Sequence, residues 1–102
     1  MSYTVSAENI LYSVLIKRKS VSIPNIRYFT EVAQTRVTNC YFDISAKSIY
    51  AVLEAYSDVF KWQDEQIEFT QYYKENIQEI MEIYHRRLPR MILSAFEDIE
   101  LK

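Results

Sequence analysis

The chain has 102 residues and contains no glycine, whereas average usage predicts about seven. This absence excludes three kinds of site that need glycine at fixed positions. They are the phosphate-binding loop G-x-x-x-x-G-K followed by Ser or Thr, the dinucleotide-binding turn G-x-G-x-x-G and the nucleophile elbow G-x-S-x-G. We also expect short turns and right-handed backbone conformations, because a residue with a Cβ atom enters left-handed space only at a steric cost.

Cysteine and long apolar runs are equally scarce. Cys40 is the single cysteine, which excludes an internal disulfide and favours a reducing compartment. We interpret it as a small buried hydrophobic side chain. No apolar run approaches the about 20 residues that a membrane helix needs, and Met1–Lys19 has no basic region of the kind that begins a signal peptide. The sequence therefore predicts a soluble, intracellular, cytoplasmic protein that does not associate with membranes.

Composition and charge limit the class of protein further. With 49% hydrophobic and 15% aromatic residues, the chain can build one folded domain over residues 1–102. Its net charge of −2 provides no overall basic field that would indicate nucleic acid. The charge is unevenly distributed, since residues 1–38 have five basic and two acidic side chains, and residues 39–69 have two basic and six acidic ones.

The spacing of apolar residues predicts three helices in the first half of the chain. The first helix covers about Ala7–Arg18, with Ser6 as its N-cap. The second covers Pro24–Ala33, because proline is favoured in a first helical turn, and it follows a very short strand at Ser20–Ile23. The third covers Ser45–Tyr56.

The surroundings of the third helix are less closely determined. Its N-cap is either Asp43 or Ser45. The preceding segment Arg36–Phe42 is compatible with a strand, an irregular linker or an extension of the second helix. We expect the third helix to face the core through four residues at helical spacing. They are Ile49, Val52, Leu53 and Tyr56.

A hairpin and a long helix complete the expected architecture. Alternating apolar and polar residues over Val59–Phe69 predict two strands, with a turn at Asp64–Gln66. Apolar residues at helical spacing then run from Tyr73 to Ile99. Pro89 lacks a backbone donor and is expected to kink or split this helix near His85–Arg86.

The order of these elements resembles a winged helix-turn-helix domain with an added C-terminal dimerisation helix. Ser20–Ile23 matches the first strand, Pro24–Ala33 the second helix, Ser45–Tyr56 the recognition helix and Val59–Phe69 the wing. The resemblance implies an α+β fold, mainly helical with a small hairpin, whose winged-helix-like body covers residues 6–69. The short chain, rich in Tyr and Ile, is also similar to small proteins from viruses of thermophilic archaea.

The same resemblance implies a set of DNA contacts. In this family the polar first turn of the recognition helix faces DNA, so Lys47 and Ser48 would contact base edges in the major groove. Ala51, one turn on, would meet a thymine methyl group, and basic side chains elsewhere would hold phosphates. The alternative is that all of these are ordinary solvated side chains. The predicted nucleic-acid-binding residues are Ser45, Lys47, Ser48, Ala51, Lys61, Arg27 and Arg36.

The C-terminal segment, residues 70–102, has an apolar stripe longer than a small body can cover. A helix of 27 residues is about 40 Å long, and two-fold homodimers are the commonest oligomers. The stripe therefore favours a homodimer, unless the chain folds back at Pro89 and covers the stripe itself. The predicted dimer-interface residues are Ile77, Ile80, Met81, Tyr84 and Leu88.

Two charged clusters offer other chemistry. His85–Arg87 with Arg90 is basic enough to hold phosphate or an acidic partner, but a solvated helix face explains it more simply. His85 is the only histidine, which leaves too few ligands for a metal site. The acidic residues between Asp58 and Glu68 lie near Lys61, as acids do near a lysine in a metal-dependent nuclease. Their positions are explained more simply by the solvent-facing side of the strands and by the turn. We expect no enzyme activity, no cofactor, no metal and no small-molecule substrate.

Two functions follow from these observations. The first is a small non-catalytic protein that binds double-stranded DNA, in transcriptional regulation or DNA packaging. The alternative is a dimeric protein-interaction or structural module without DNA affinity, in which tyrosine-rich patches hold a partner. The order of elements favours the first function, and the acidic hairpin favours the second.

Overall fold

Six helices and five short strands make up residues 3–100, which are the residues that the computed structural model describes. The fold class is mixed α+β, as expected. In chain order, the elements are β1 (Tyr3–Val5), α1 (Ala7–Leu15), β2 (Val21–Ser22), α2 (Ile23–Thr35), β3 (Cys40–Phe42), α3 (Ala46–Ala55), β4 (Phe60–Gln63), β5 (Gln66–Phe69), α4 (Gln71–Glu75), α5 (Ile77–Arg87) and α6 (Arg90–Ala95).

Hydroxyl side chains begin four of these helices. Ser6 accepts a hydrogen bond from the Asn9 backbone N–H and begins α1, as predicted. Ser45, one of the two predicted N-caps of α3, likewise accepts a hydrogen bond from the Ser48 backbone N–H. Ser22 and Thr70 do the same for α2 and α4. Each bond satisfies a donor that has no partner inside its helix, which explains why the helices start where they do.

The predicted hairpin is present and belongs to a larger sheet. Strands β4 and β5 pair antiparallel, and β2 adds to β5, so the order in the sheet is β2-β5-β4. Asp64 and Glu65 form the two-residue turn with φ angles of 53° and 64°. A two-residue hairpin loop takes positive φ at both positions because this twist matches the flanking strands.

The expectation of right-handed conformations throughout is therefore wrong. Between Tyr3 and Glu100, four residues have positive φ although the chain has no glycine. Asx side chains tolerate this region better than most others, and three of the four residues are Asn or Asp. The four are Asn39, Asp64, Glu65 and Asp98.

A second, two-stranded sheet was not expected. The segment Arg36–Phe42 ends in strand β3, which pairs in parallel with β1, so that Val5 lies opposite Phe42. Val5 and Phe42 are buried, and Tyr41 is exposed. Cys40, predicted to be buried, is only half-buried at the start of β3.

The apolar stripe of the C-terminal segment lies on three helices instead of one. The first break is at Asn76, whose side-chain amide donates to the Tyr72 carbonyl. The second is at Leu88, which is extended (φ −98°, ψ 127°) before Pro89, as expected for the residue that precedes a proline. The break thus falls two residues beyond the predicted His85–Arg86.

After Pro89 the chain continues as α6, and several residues of the stripe are buried within the single chain. Helix α6 packs on α2, and the Phe96 ring meets the Phe42 ring edge to face at 5.9 Å. Tyr84 and Leu88, both predicted to lie in a dimer interface, are each only 4% exposed within the single chain. Both are therefore core residues of the described structure.

Helix α3 faces the core as predicted, with one exception. Ile49 and Leu53 are buried and Val52 packs against the core as a half-buried residue. Tyr56 is 38% exposed, and its inclusion in the buried stripe is wrong. It is the C-cap residue, where the chain has left the helical φ and ψ values, so helical spacing no longer determines its direction. No helix within residues 3–100 has the length and apolar character needed to cross a membrane.

Candidate functional site

The N-terminus of α3 holds a carboxylate from its own chain. Asp43 accepts a hydrogen bond of 2.7 Å from the Ser48 hydroxyl and one of 3.2 Å from the Ser45 hydroxyl. The Ser45 oxygen in turn accepts from the Ser48 backbone N–H. A helix N-terminus attracts anions, and here Asp43 supplies that negative charge. An external phosphate would have to compete with it.

The structure brings together only part of the predicted DNA-binding set. Lys47 and Ala51 are exposed on α3, and Ser45 is exposed at its start, whereas Ser48 is half-buried. Arg27 of α2 is exposed and lines a groove that also contains Ser45.

Two of the predicted phosphate-binding cations are engaged elsewhere. Arg36 donates to the backbone carbonyls of Ala95 and Glu97 and so joins α2 to the end of α6. Lys61 lies on the hairpin with its ammonium group 3.8 Å from the Glu68 carboxylate. Both groups would have to leave these partners before they could hold a phosphate.

An exposed aromatic pair joins α3 to the hairpin. The rings of Tyr50 and Trp62 lie 5.0 Å apart, centroid to centroid, with an angle of 53° between their planes. Tyr50 is 43% exposed and Trp62 is 46% exposed. The two rings line an open cleft, which we call the aromatic cleft. Its other lining residues are Leu53, Glu54, Ser57, Phe60, Lys61 and Thr70.

This cleft was not predicted from the sequence. Alternation places Phe60 and Trp62 on the same face of β4, yet Phe60 is buried and Trp62 projects beyond the core near the tip of the hairpin. The sequence of α3 did contain one indication of an exposed aromatic site. Tyr50 follows the buried Ile49 and so falls on the solvent phase of the helix, where a large aromatic residue is unusual.

The surface formed by α3 and the hairpin is acidic. Its basic side chains are Lys47 and Lys61, and Lys61 is paired with Glu68. Glu54 lines the aromatic cleft directly. The acidic residues on α3, the hairpin and the segments that flank them are Asp43, Glu54, Asp58, Asp64, Glu65 and Glu68. Because phosphates are anionic, this field opposes nucleic acid and favours a cationic ligand.

A second cluster of titratable groups has a structural role. The Tyr84 hydroxyl donates to the Glu8 carboxylate at 2.7 Å, and the Arg87 guanidinium lies 3.7 Å from the same oxygen. Burial raises the pKa of Tyr84, and the hydrogen bond to Glu8 raises it further. Burial likewise raises the pKa of Tyr12 and of Tyr73. All three hydroxyls are therefore neutral near pH 7 and act as packing groups.

The hairpin acids that were weighed as a nuclease site, and set aside in favour of strand alternation and the turn, do not form a metal-binding group in the described residues. Among residues 3–100, no three His, Cys, Asp or Glu side chains converge closely enough to hold an ion. No protein-family profile matches the chain, and no curated protein or solved structure is significantly similar to it.

Proposed function

We propose that this chain is a non-catalytic protein-interaction module with a winged-helix-like body, and that the aromatic cleft binds a partner protein. The observation that carries the proposal is the exposed Tyr50–Trp62 pair at the junction of α3 and the hairpin. The order of elements from α1 to β5, with β2 paired to the hairpin, supports the winged-helix-like body.

The aromatic pair has the properties of a binding hot spot. Tyrosine and tryptophan are enriched among the residues that contribute most to protein–protein affinity. Single exposed hydrophobic residues are common on any surface, but here two large rings are in contact and line one cleft with the buried Phe60 and Leu53. A partner side chain inserted there would contact an already ordered apolar surface.

Charge selects the chemistry of the partner. Glu54 is the acidic residue of the cleft lining, and the ammonium group of the basic lining residue, Lys61, is paired with Glu68. A lysine or arginine side chain can pair with Glu54 and lie over the face of Trp62, which is the best aromatic acceptor for a cation. The proposed partner therefore presents a segment in which cationic and apolar side chains alternate.

The position of Trp62 provides the test. It is the only tryptophan in the chain, so its fluorescence reports on the cleft alone. The probes are two capped hexapeptides, one alternating arginine with valine and the other alternating glutamate with valine. We expect a saturable change in Trp62 emission with the arginine peptide and none with the glutamate peptide.

Two variants make this test specific. Tyr50→Ala removes half of the aromatic pair and should weaken binding of the arginine peptide by about tenfold or more. Tyr41→Ala removes another exposed tyrosine, which lies on β3 outside the cleft, and should leave the affinity unchanged. Equal responses to both peptides, or equal losses in both variants, would contradict the proposal.

DNA binding through α3 is the second candidate. The exposed position of Lys47 in the first turn of α3, with Arg27 and Ser45 in one groove beside it, favours this candidate. A random DNA duplex should then shift at low salt and be released at higher salt. Lys47→Glu should abolish the shift, whereas Lys74→Glu on α4 should not. The absence of a shift at micromolar protein would remove this candidate.

Homodimerisation through α5 is a separate proposal. With Tyr84 and Leu88 in the core, a second copy would contact Ile77 and Ile80, which are half-buried. Met81, the fifth predicted residue, lines a cavity with residues of α6 and is left out of this contact. Ile83 on the same helix is 43% exposed and would add to this contact. The interface would be isologous, as in most two-fold dimers.

A further inference from the structure

A second cavity lies away from the aromatic cleft, between α1, α5 and α6. Its volume is about 200 Å³, and most of its lining surface is apolar. None of its lining residues belongs to the aromatic cleft. The apolar lining residues are Ile16, Met81, Leu93 and Phe96.

Charged side chains are placed around this cavity with an excess of positive charge. Lys17 and His85 line it together with Arg18, and Glu97 is the acidic residue of the lining. The two cations, Lys17 and Arg18, follow α1, whereas His85 lies on α5 and Glu97 follows α6. The fold therefore brings polar groups from three separate segments to the rim of one pocket.

The arginine of this rim is held in place. Its guanidinium donates to the carbonyls of Val14 at 3.0 Å and Ile99 at 2.9 Å, and it lies 4.0 Å above the ring of Phe29. Arg18 is therefore a fixed positive charge at the cavity. Lys17 is exposed and is free of any ion pair among the described residues, so its ammonium group is available to a ligand.

We propose that this cavity binds a small monocarboxylate with a compact apolar body. A cavity of about 150 Å³ lined by aliphatic and aromatic side chains takes up benzene, so the volume of this one is sufficient for a single ring with a carboxylate at its mouth. The ring lies against Met81 and Phe96, and the carboxylate faces the ammonium group of Lys17. Binding sites of this kind combine an apolar lining with a few convergent polar groups.

Benzoate is the probe, and its neutral isostere benzamide is the matched ligand control. Binding is followed by NMR chemical shifts of the Ile16 and Met81 methyl groups. We expect saturable shifts with benzoate and an affinity for benzamide that is lower by about tenfold or more. No saturable shift up to about 10 mM benzoate, or equal affinity for the two ligands, overturns the proposal.

Two protein variants locate the charge that matters. Lys17→Glu reverses the charge at the cavity and should weaken benzoate binding by about tenfold or more. Lys19→Glu makes the same change in net charge at an exposed lysine that does not line the cavity, and should leave the affinity within about twofold. Equal weakening in both variants would indicate only general electrostatic attraction and would overturn the site.

A third variant tests the cavity itself. Met81→Trp fills the space between α5 and α6 and should abolish benzoate binding while the far-ultraviolet circular dichroism spectrum is retained. Benzoate binding that survives in this folded variant would overturn the proposal. If the variant does not fold, the comparison of Lys17→Glu with Lys19→Glu decides the matter alone.

Discussion

The Tyr12 and Tyr84 rings are stacked, with centroids 4.2 Å apart and planes within 6° of parallel. The stack joins α1 to α5, and a second stack between Phe69 and Tyr73 at 3.9 Å lies against it. Tyr12 is fully buried and has aromatic neighbours from the hairpin, α4 and α5. The C-terminal helices are therefore part of the core.

The hydroxyl groups of the two stacked tyrosines have different surroundings, so their removal should affect stability differently. The Tyr84 hydroxyl donates to Glu8, whereas the Tyr12 hydroxyl is buried near that of Tyr73 and makes no hydrogen bond of normal geometry with any described residue. Tyr84→Phe should lower the free energy of unfolding by about 1–3 kcal/mol, because the bond is to a charged group. Tyr12→Phe should change it by less than about 1 kcal/mol or raise it, because the lost hydroxyl has no partner. Urea unfolding measures both, and a larger loss in Tyr12→Phe than in Tyr84→Phe would contradict this assignment.

The buried tyrosines also predict the response to alkaline pH. Burial raises the pKa values of Tyr12, Tyr73 and Tyr84 in the folded state, whereas in the unfolded chain tyrosine ionises near pH 10. The contribution of these tyrosines to the free energy of unfolding is therefore fully present below about pH 10. It is lost as the pH rises above that value, because the unfolded state releases protons that the folded state retains. Between its unfolded and its folded pKa, each such group lowers the free energy of unfolding by about 1.4 kcal/mol for every pH unit.

Unfolding by urea between pH 8 and pH 11 checks this sign. Tyr84→Phe serves as the control, because it removes one of the three groups and should make the decline less steep. A free energy of unfolding that stays constant or increases above pH 10 would be incompatible with neutral tyrosines in the core.

The hairpin turn offers a stabilising substitution. Glu65 has φ of 64°, a conformation that costs a residue with a Cβ atom about 1–2 kcal/mol. Glu65→Gly removes this penalty and should raise the free energy of unfolding by about 0.5–1 kcal/mol, since the flexibility that glycine gives the unfolded chain offsets part of the gain. Glu65→Ala keeps the Cβ atom and should bring no gain. Equal effects of the two substitutions on urea unfolding would show that the turn is not strained.

The proposed dimer can be tested at a residue outside the core. Ile83 is exposed on α5, so Ile83→Asp should convert a dimer to a monomer in sedimentation at tens of micromolar protein. At a protein concentration low enough for both proteins to be monomers, the melting temperature should be unchanged, because Ile83 does not pack in the core. A wild-type protein that sediments as a monomer at this concentration would refute dimerisation through α5.

Local features of the fold could be predicted because neighbouring residues determine them. Ser6 and Ser45 have hydroxyls in reach of the N–H three residues on, so helix starts follow from sequence. The hairpin follows from alternation between Phe60 and Phe69. The pairing of β1 with β3 could not be predicted, because parallel partners lie far apart in the sequence. Each strand also has only three residues, which is too short to show an alternating pattern.

The candidate site was predictable only in part. The phase of α3 identified Lys47 as exposed and Ile49 as buried, since helical spacing determines both. The contact between Tyr50 and Trp62 depends on how the hairpin packs against α3, and nothing in either segment alone reveals it. The hydrogen bond from the Ser48 hydroxyl to Asp43 could not be predicted either. The sequence offered Asp43 and Ser45 as alternative N-caps and did not show that both contact Ser48.

Preference for a basic protein segment over DNA is the property proposed for the surface of α3 and the hairpin. It can be measured by Trp62 emission, in parallel titrations with the arginine–valine hexapeptide and a random DNA duplex at one ionic strength of about 0.15 M. We expect saturation with the peptide, loss of that response in Tyr50→Ala, and no response to the duplex. Saturation with the duplex and none with the peptide would contradict this proposal.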